Sequence, residues 1–120
     1  MSTIAKAAKA DFEIVANLVR DNNGQHAVPK LPPIMNFGKT VHYSSPDGEV
    51  RIEFRDKNGS PFLDLNGNVK TVITSNEPPI KLSKSGTFTC RCFITPPGRN
   101  AAAIGWRPGD PLSGGNHIVQ

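Results

Sequence analysis

Five side chains in the sequence could ligate a transition metal or serve as a nucleophile or base: Cys90, Cys92, His26, His42 and His117. A structural zinc site needs four such ligands to converge, and its cysteines are normally separated by two to four residues. Cys90 and Cys92 are separated by a single residue. The spacing therefore argues against zinc, and we predict neither a metal nor another cofactor.

The two cysteines are better explained as core residues. Phe88, Cys90, Cys92 and Ile94 alternate along a β-prone run, so all four point to one face of a strand. Free cysteines are among the most buried residue types. Alternate residues of a strand lie about 6.5–7 Å apart, at or beyond the usual span of a disulfide. Two reduced cysteines, with no apolar signal segment before Asp11, predict a cytoplasmic protein.

No motif identifies a catalytic residue. The chain lacks a Gly-x-Ser-x-Gly elbow, a phosphate-binding Walker loop and a His-Glu-x-x-His pair. His42 and His117 lie in alternating runs and are predicted to be half-exposed strand residues. We therefore do not predict an enzyme, although tertiary contacts could assemble a site from distant polar residues.

The segment from Pro96 to Gly115 contains the chain's only tryptophan together with two arginines. A loop of this length without clear secondary structure is more often functional than incidental. Tryptophan beside arginine is a common composition of interface hot spots. We predict a binding site at Arg99, Trp106 and Arg107. The alternative is that Trp106 closes the open end of the core.

Charge is distributed unevenly along the chain. Residues 1–77 contain nine basic and nine acidic side chains, whereas residues 78–120 contain five basic side chains and Asp110 as the only acidic one. Such an excess could attract an acidic partner. Five separated cations do not form a nucleic-acid-binding stripe, so nucleic acid is an unlikely partner on this pattern, and the apolar runs are too short to span a membrane.

The elements that must position these residues read as strands. Eleven glycines and eleven prolines suit a β-rich fold, and 120 residues fit one domain. The clearest strand alternates Val50, Ile52 and Phe54 with charged residues. We predict an antiparallel β-sandwich at residues 11–120 after a flexible tail at residues 1–10. The N-terminal run also fits a helix; we favour a strand over residues 11–20. Pro29, Pro32 and Pro33 predict extended, non-ladder structure over residues 26–36.

The order of these pieces resembles the cupredoxins, the plastocyanin-like copper proteins. Gly38-Lys39-Thr40-Val41-His42-Tyr43 is similar to an early strand of that family, and Gly86-Thr87-Phe88 precedes Cys92 at the family's cysteine position. Gly115-Asn116-His117-Ile118-Val119 resembles its closing strand. The resemblance implies an all-β, single antiparallel Greek-key sandwich.

The same resemblance argues against copper. A blue-copper site needs two imidazoles and a thiolate, usually with a weak axial thioether. The two histidine positions hold Val50 and Thr95, and no methionine follows Met35. We therefore predict a non-enzymatic binding or assembly module, with a protein partner or self-association at the 96–115 loop. The alternatives are a copper- or zinc-binding electron carrier and an enzyme with a site built from distant polar residues.

Overall fold

The computed structural model describes residues 9–120, so residues 1–8 of the predicted tail lie outside the described range. The described chain is all-β and is divided into nine strands. No helix within it is long and apolar enough to cross a membrane. The strands are β1 (Phe12–Asp21), β2 (Gly24–Pro29), β3 (Thr40–Ser44), β4 (Glu49–Glu53), β5 (Val72–Thr74), β6 (Ile80–Lys81), β7 (Gly86–Thr95), β8 (Ile104–Gly105) and β9 (Gly114–Val119).

The strands form two sheets. The first has the order β2-β1-β3-β6, and the second has the order β5-β4-β7-β8 with β9 also paired to β7. Strands β8 and β9 share one edge of β7, at its two ends, because Gly105 pairs with Phe93 and Gly114 with Arg91. The chain crosses between the sheets after β3, β5 and β6.

One pairing departs from the predicted antiparallel arrangement. Strands β1 and β3 run parallel, with Phe12 opposite Val41 and Ile14 opposite Tyr43, while the other paired strands run antiparallel. Parallel neighbours need a long connection that returns the chain to the starting end. Strand β2 and the proline-rich segment after it supply that connection.

Both sheets contribute to one hydrophobic core, which fits a β-sandwich. Alternation places Ile14 and Tyr43 of the first sheet inward, and it does the same for Ile52, Cys92 and Ile94 of the second. All five are at most 1 % exposed. Burying an aliphatic or aromatic side chain of this size contributes roughly 1.5–3 kcal/mol, so the core dominates the stability of the fold.

The prediction of non-ladder structure from His26 was wrong for its first four residues. Gln25 to Pro29 pair with β1, and Ala16 lies opposite Pro29. Proline is tolerated there because β2 is an edge strand and Pro29 is its last residue, so the missing N–H interrupts no central ladder.

Candidate functional site: an arginine face on the second sheet

The outer face of the second sheet carries two arginines stacked on aromatic rings. Arg51 and Phe93 are directly paired across β4 and β7, and the Arg51 guanidinium carbon lies 4.6 Å from the Phe93 ring centroid. Two residues before Phe93, Arg91 projects from the same face, and its guanidinium carbon lies 3.8 Å from the centroid of Trp106. Both contacts have the geometry of cation–π pairs.

Gly105 allows Trp106 to reach this face. A Cβ atom at position 105 would lie 2.2 Å from the Cys92 carbonyl oxygen, a separation that no side chain tolerates. Without that atom, the short strand β8 docks against β7, and the Trp106 N–H donates to the Cys92 carbonyl at 3.1 Å. The half-buried indole is thereby fixed over Arg91.

A single carboxylate joins Arg51 of β4 to Arg55, which follows the end of that strand. Glu53 is only 8 % exposed, and its two oxygens accept hydrogen bonds from Arg51 Nε and Arg55 Nε, each at 2.8 Å. Burial favours the protonated acid, but the hydrogen bonds and charges of Arg55 and Arg51 prevail and lower the pKa of Glu53. Glu53 therefore fixes both guanidinium groups and remains an anion at neutral pH.

Two hollows border Trp106 on this surface. One, of ≈ 440 Å³, is lined by Arg20, Phe93, Trp106 and Arg107 among others, and the other, of ≈ 220 Å³, lies between Trp106, Arg91 and Arg55. Together these side chains make one surface, which we call the arginine face. It consists of Arg20, Arg51, Arg55, Arg91, Arg107, Phe93 and Trp106.

The positive charge of the arginine face is concentrated around Trp106. Within residues 9–120, Arg20, Arg91 and Arg107 have no carboxylate oxygen within 4 Å. Two carboxylates lie close to this group without pairing with it. Glu53 is opposite Arg91 across β4 and β7 but is already shared by Arg51 and Arg55, and Asp56 lines the smaller hollow. The three cations beside the indole are thus free to bind an anion.

The three residues predicted to form the binding site do not stay together. Trp106 and Arg107 line the same hollow, and the exposed Arg107 donates from Nη2 to the Asn23 carbonyl at 3.1 Å. Arg99 is exposed in the turn before β8 and lines neither hollow. The alternative, in which Trp106 closes the open end of the core, fits only in part. The Trp106 ring is half buried and lies against Arg91 on the outer side of the sheet.

The segment that follows Trp106 is held by a buried histidine. His26 is 3 % exposed, with Nε2 at 2.8 Å from Asp21 Oδ1 and Nδ1 at 3.1 Å from Asp110 Oδ1. Ionised carboxylates only accept hydrogen bonds, so both contacts are hydrogen bonds when both ring nitrogens carry protons, as in the imidazolium form. The hydrogen bonds that His26 donates to Asp21 and Asp110 outweigh burial and raise the pKa of His26.

Asp110 completes this connection. Burial disfavours its ionised form, but the Leu112 N–H, His26 and Ser113 all donate hydrogen bonds to it and lower its pKa to about 2. Ser113 in turn accepts from the Ala27 N–H at 2.9 Å through its hydroxyl and from the Cys92 N–H at 3.0 Å through its carbonyl. Residues 107–113 are therefore tied to β2 and β7.

The histidines and cysteines do not form a reactive group. His42 is half-exposed, as predicted, and lies 2.7 Å from Glu13. The same prediction for His117 was wrong. His117 is fully buried, its Nε2 shares a hydrogen bond with the Tyr43 hydroxyl at 2.7 Å, and burial lowers its pKa to about 4. It points inward because β9 pairs with β7 in the register that places His117 opposite the core residue Phe88.

Both thiols lie in the core, which confirms the prediction from alternation. Burial raises the pKa of Cys90 and of Cys92 to about 12, so neither is a thiolate at neutral pH. Val50 also lies in the core, at the first position where the family resemblance would place a copper ligand. Within residues 9–120, no group of three or more His, Cys, Asp or Glu side chains is placed to hold a metal ion.

Sequence reasoning identified Trp106 and Arg107 but missed the other residues of the arginine face. The alternation of β4 predicts that Arg51 and Arg55 lie on its solvated side, and this is correct. Which residues of β7 and β8 lie beside them depends on strand pairing, which alternation does not predict. The available signal was local: Arg91 and Phe93 both alternate with the buried residues of β7 and must share its outer face. Comparisons with protein-family models, with curated proteins and with solved structures find no significant match.

Proposed function

We propose that the protein is a non-enzymatic binding module, built on a copper-free cupredoxin-like Greek-key sandwich, whose arginine face captures an anionic partner. The observation that carries the proposal is the convergence of five of the six arginines, from four separate segments, around Trp106. Three of the five, Arg20, Arg91 and Arg107, have no carboxylate oxygen within 4 Å in residues 9–120, and cations without such partners favour complementary anions.

The held geometry of these side chains supports a binding role. Arg91 is stacked on Trp106 and Arg51 on Phe93, so their side chains lose less conformational freedom when a ligand binds. Arg107 is fixed by Asn23, and the segment after it by His26 and Asp110. Ordering of these groups before binding is what raises affinity for a given number of contacts.

The state of the buried cysteines and histidines supports a non-enzymatic function. Both thiols have a pKa of about 12, the His26 ring is held as an imidazolium between two carboxylates, and His117 contacts only Tyr43 through its nitrogens. None of these groups is placed to accept a proton from a nucleophile. The buried, unlinked cysteines also suit the proposed cytoplasmic location.

Fluorescence of Trp106, the only tryptophan, tests the proposal. We expect saturable changes in emission when the protein is titrated with inorganic polyphosphate or with poly-L-glutamate. Arg107→Gln should weaken binding roughly fivefold, the effect of one unit charge at close range in water. Lys81→Gln, which removes an exposed charge from β6 on the other sheet, is the matched control and should leave binding unchanged. A titration without saturation, or equal weakening in both variants, would refute an anion site at this face.

A further inference from the structure

We propose that the anionic partner is a single-stranded nucleic acid, an inference that rests on the function proposed above. The chemistry of the arginine face goes beyond a cluster of charge, because it pairs flat cations with aromatic rings. Proteins that bind single strands combine a positively charged groove with planar groups on which successive bases stack. Both elements are present around Trp106.

The two arginine–aromatic pairs supply the planar groups. The Arg91 guanidinium carbon lies 3.8 Å from the Trp106 centroid, and Arg91 and Trp106 also line the hollow shared with Arg55, Asp56 and Thr89. Arg51 lies over Phe93, with 42 % of its side chain exposed. A guanidinium plane that rests on a ring with one side can accept a nucleobase on the other.

The spacing of the two pairs suits one strand. Arg91 and Phe93 are alternate residues of β7, so their Cα atoms lie about 6.5–7 Å apart and the two pairs are neighbours on one face. Neighbouring nucleotides of an unstacked chain can therefore reach the two pairs at once. The adjoining hollow of ≈ 440 Å³ falls within the roughly 300–1,000 Å³ typical of ligand sites, and Arg20 and Arg107 both line it.

The choice of cation also favours nucleic acid. Five arginines form this surface, whereas no lysine within residues 9–120 lines either hollow beside Trp106. Arginine presents a planar fork that matches phosphate oxygens and stacks on bases, and lysine does neither. The carboxylates of an acidic peptide also match the guanidinium fork, but a peptide of this kind offers no base to stack on the planes.

This inference revises the expectation drawn from the sequence. Lys81, Lys84 and Arg99 dominate the basic C-terminal region by number, but they lie outside the two hollows. Arg20, Arg51 and Arg55 of the arginine face come instead from residues 1–77, where basic and acidic side chains are equal in number. The separation of cations along the sequence therefore does not argue against a basic binding surface in space.

Fluorescence anisotropy with labelled probes tests the inference. We would use an oligothymidylate of about twelve nucleotides, within the roughly 4–16 that a small β fold occupies, an abasic phosphodiester chain of the same length, and poly-L-glutamate of equal charge. The oligothymidylate should bind at least tenfold more tightly than the other two probes. Raising the salt concentration should weaken it with a slope of about −0.7 for each phosphate neutralised.

Variants separate stacking from charge. Arg91→Lys keeps the charge but loses the plane, and it should weaken oligothymidylate binding roughly tenfold, the loss expected for one stacked base. It should leave poly-L-glutamate binding unchanged. Lys81→Gln is the control for both probes, and Trp106→Phe, which keeps a ring beneath Arg91, provides a second variant if Arg91→Lys reduces stability. Circular dichroism melting confirms that each variant is folded.

Each outcome decides a different claim. Preference for oligothymidylate, lost in Arg91→Lys, supports the inference. Equal binding of all three probes would overturn it and leave the proposed function, since the face would then be a general anion site. Equal oligothymidylate affinity in Arg91→Lys and the unmodified protein would also overturn it. Binding of none of the probes would overturn both the inference and the proposed function.

Discussion

The charged side chains on the outer faces of the two sheets have different partners. On the first sheet, His42 of β3 lies opposite Glu13 of β1, with Nδ1 2.7 Å from the carboxylate, and Nε2 contacts the Ser75 carbonyl at 3.1 Å. On the second sheet, Arg91 stacks on Trp106 without any carboxylate within 4 Å in the described residues. On the first face, His42 thus has an acidic partner on the neighbouring strand. The second face holds cations in place and leaves them for a partner.

The number of charges on a surface does not by itself identify a binding surface. Arg51 and Arg55 resemble the His42 pair more closely than they resemble Arg91, because Glu53 is hydrogen-bonded to both. Exposed ion pairs contribute little to stability, typically below about 1 kcal/mol. The arginine face is distinguished by Arg91, which is stacked on an aromatic ring and has no carboxylate within 4 Å in the described residues.

Separating β8 from β7 should have the largest effect. In Gly105→Val the new side chain meets the Cys92 carbonyl, so β8 must move and Trp106 loses its position over Arg91. We expect the free energy of unfolding to fall by about 2–3 kcal/mol, as for other overpacked sites, together with ligand binding. Denaturant unfolding measures the change. Ala102→Val, an exposed site in the same segment, should change stability by less than about 0.5 kcal/mol, and an equal loss there would contradict the role of Gly105.

Removing Glu53 should reduce stability while improving binding. Glu53→Gln leaves two arginines without their shared carboxylate, which should cost about 1–2 kcal/mol. The lost negative charge should raise the affinity for an anionic probe about two- to threefold. Because the folded pKa of Glu53 is lowered, its contribution is present above the unfolded value near 4.3 and is lost as the pH falls through the folded pKa.

Glu13→Gln provides the matched change on the first sheet. It removes the partner of His42 at a more exposed site, so stability should change by less than about 0.5 kcal/mol and anion binding should be unaffected. Denaturant melts and probe titrations of the two variants give the comparison directly. Improved anion binding in Glu13→Gln equal to that in Glu53→Gln would mean that the probe responds to net charge and does not distinguish the faces.

Loss of His26 should have a smaller, pH-dependent effect on the segment after Trp106. The pKa of His26 is raised by Asp21 and Asp110, so its stabilising contribution is fully present below the unfolded value near 6.5 and is lost as the pH rises through the folded pKa. Arg107 lines the hollow beside His26. The stability difference between the unmodified protein and His26→Gln should therefore be larger at pH 6 than at pH 9.

The measurement compares the stability of the unmodified protein with that of His26→Gln, because the effect of His117 on the pH dependence of stability is opposite to that of His26. Burial lowers the pKa of His117 to about 4, so the unfolded chain binds its proton first and stability falls as the pH drops below about 6.5. This contribution is common to both proteins and cancels. A difference that grows towards pH 9 would contradict an imidazolium between Asp21 and Asp110.

The sequence predicted what depends on local alternation. The all-β class, the inward faces of β4 and β7 and the burial of Cys90 and Cys92 follow from a two-residue period and are confirmed. Strand β2 was missed because proline signals were weighted above the edge position that tolerates Pro29. The inward side of His117 could not be predicted, since its register depends on pairing with Phe88, 29 residues earlier.

The arginine face was largely hidden for the same physical reason. Arg20 and Arg107 meet at one hollow although 87 positions separate them, and only the close approach of β8 to β7 brings Trp106 over Arg91. Such contacts are set by long-range register, which no local pattern specifies. The sequence could identify Trp106 as unusual, but not the cations that surround it.

The most direct test of the central claim is a chemical-shift map of the isotopically labelled protein during titration with oligothymidylate. The account predicts saturable shifts of the Trp106 indole N–H, of the Arg51 and Arg91 side-chain N–H groups and of the β7 amides, with the resonances of Glu13 and His42 unchanged. Shifts centred on the first sheet, or spread evenly over both faces, would contradict the claim that the arginine face is the binding surface.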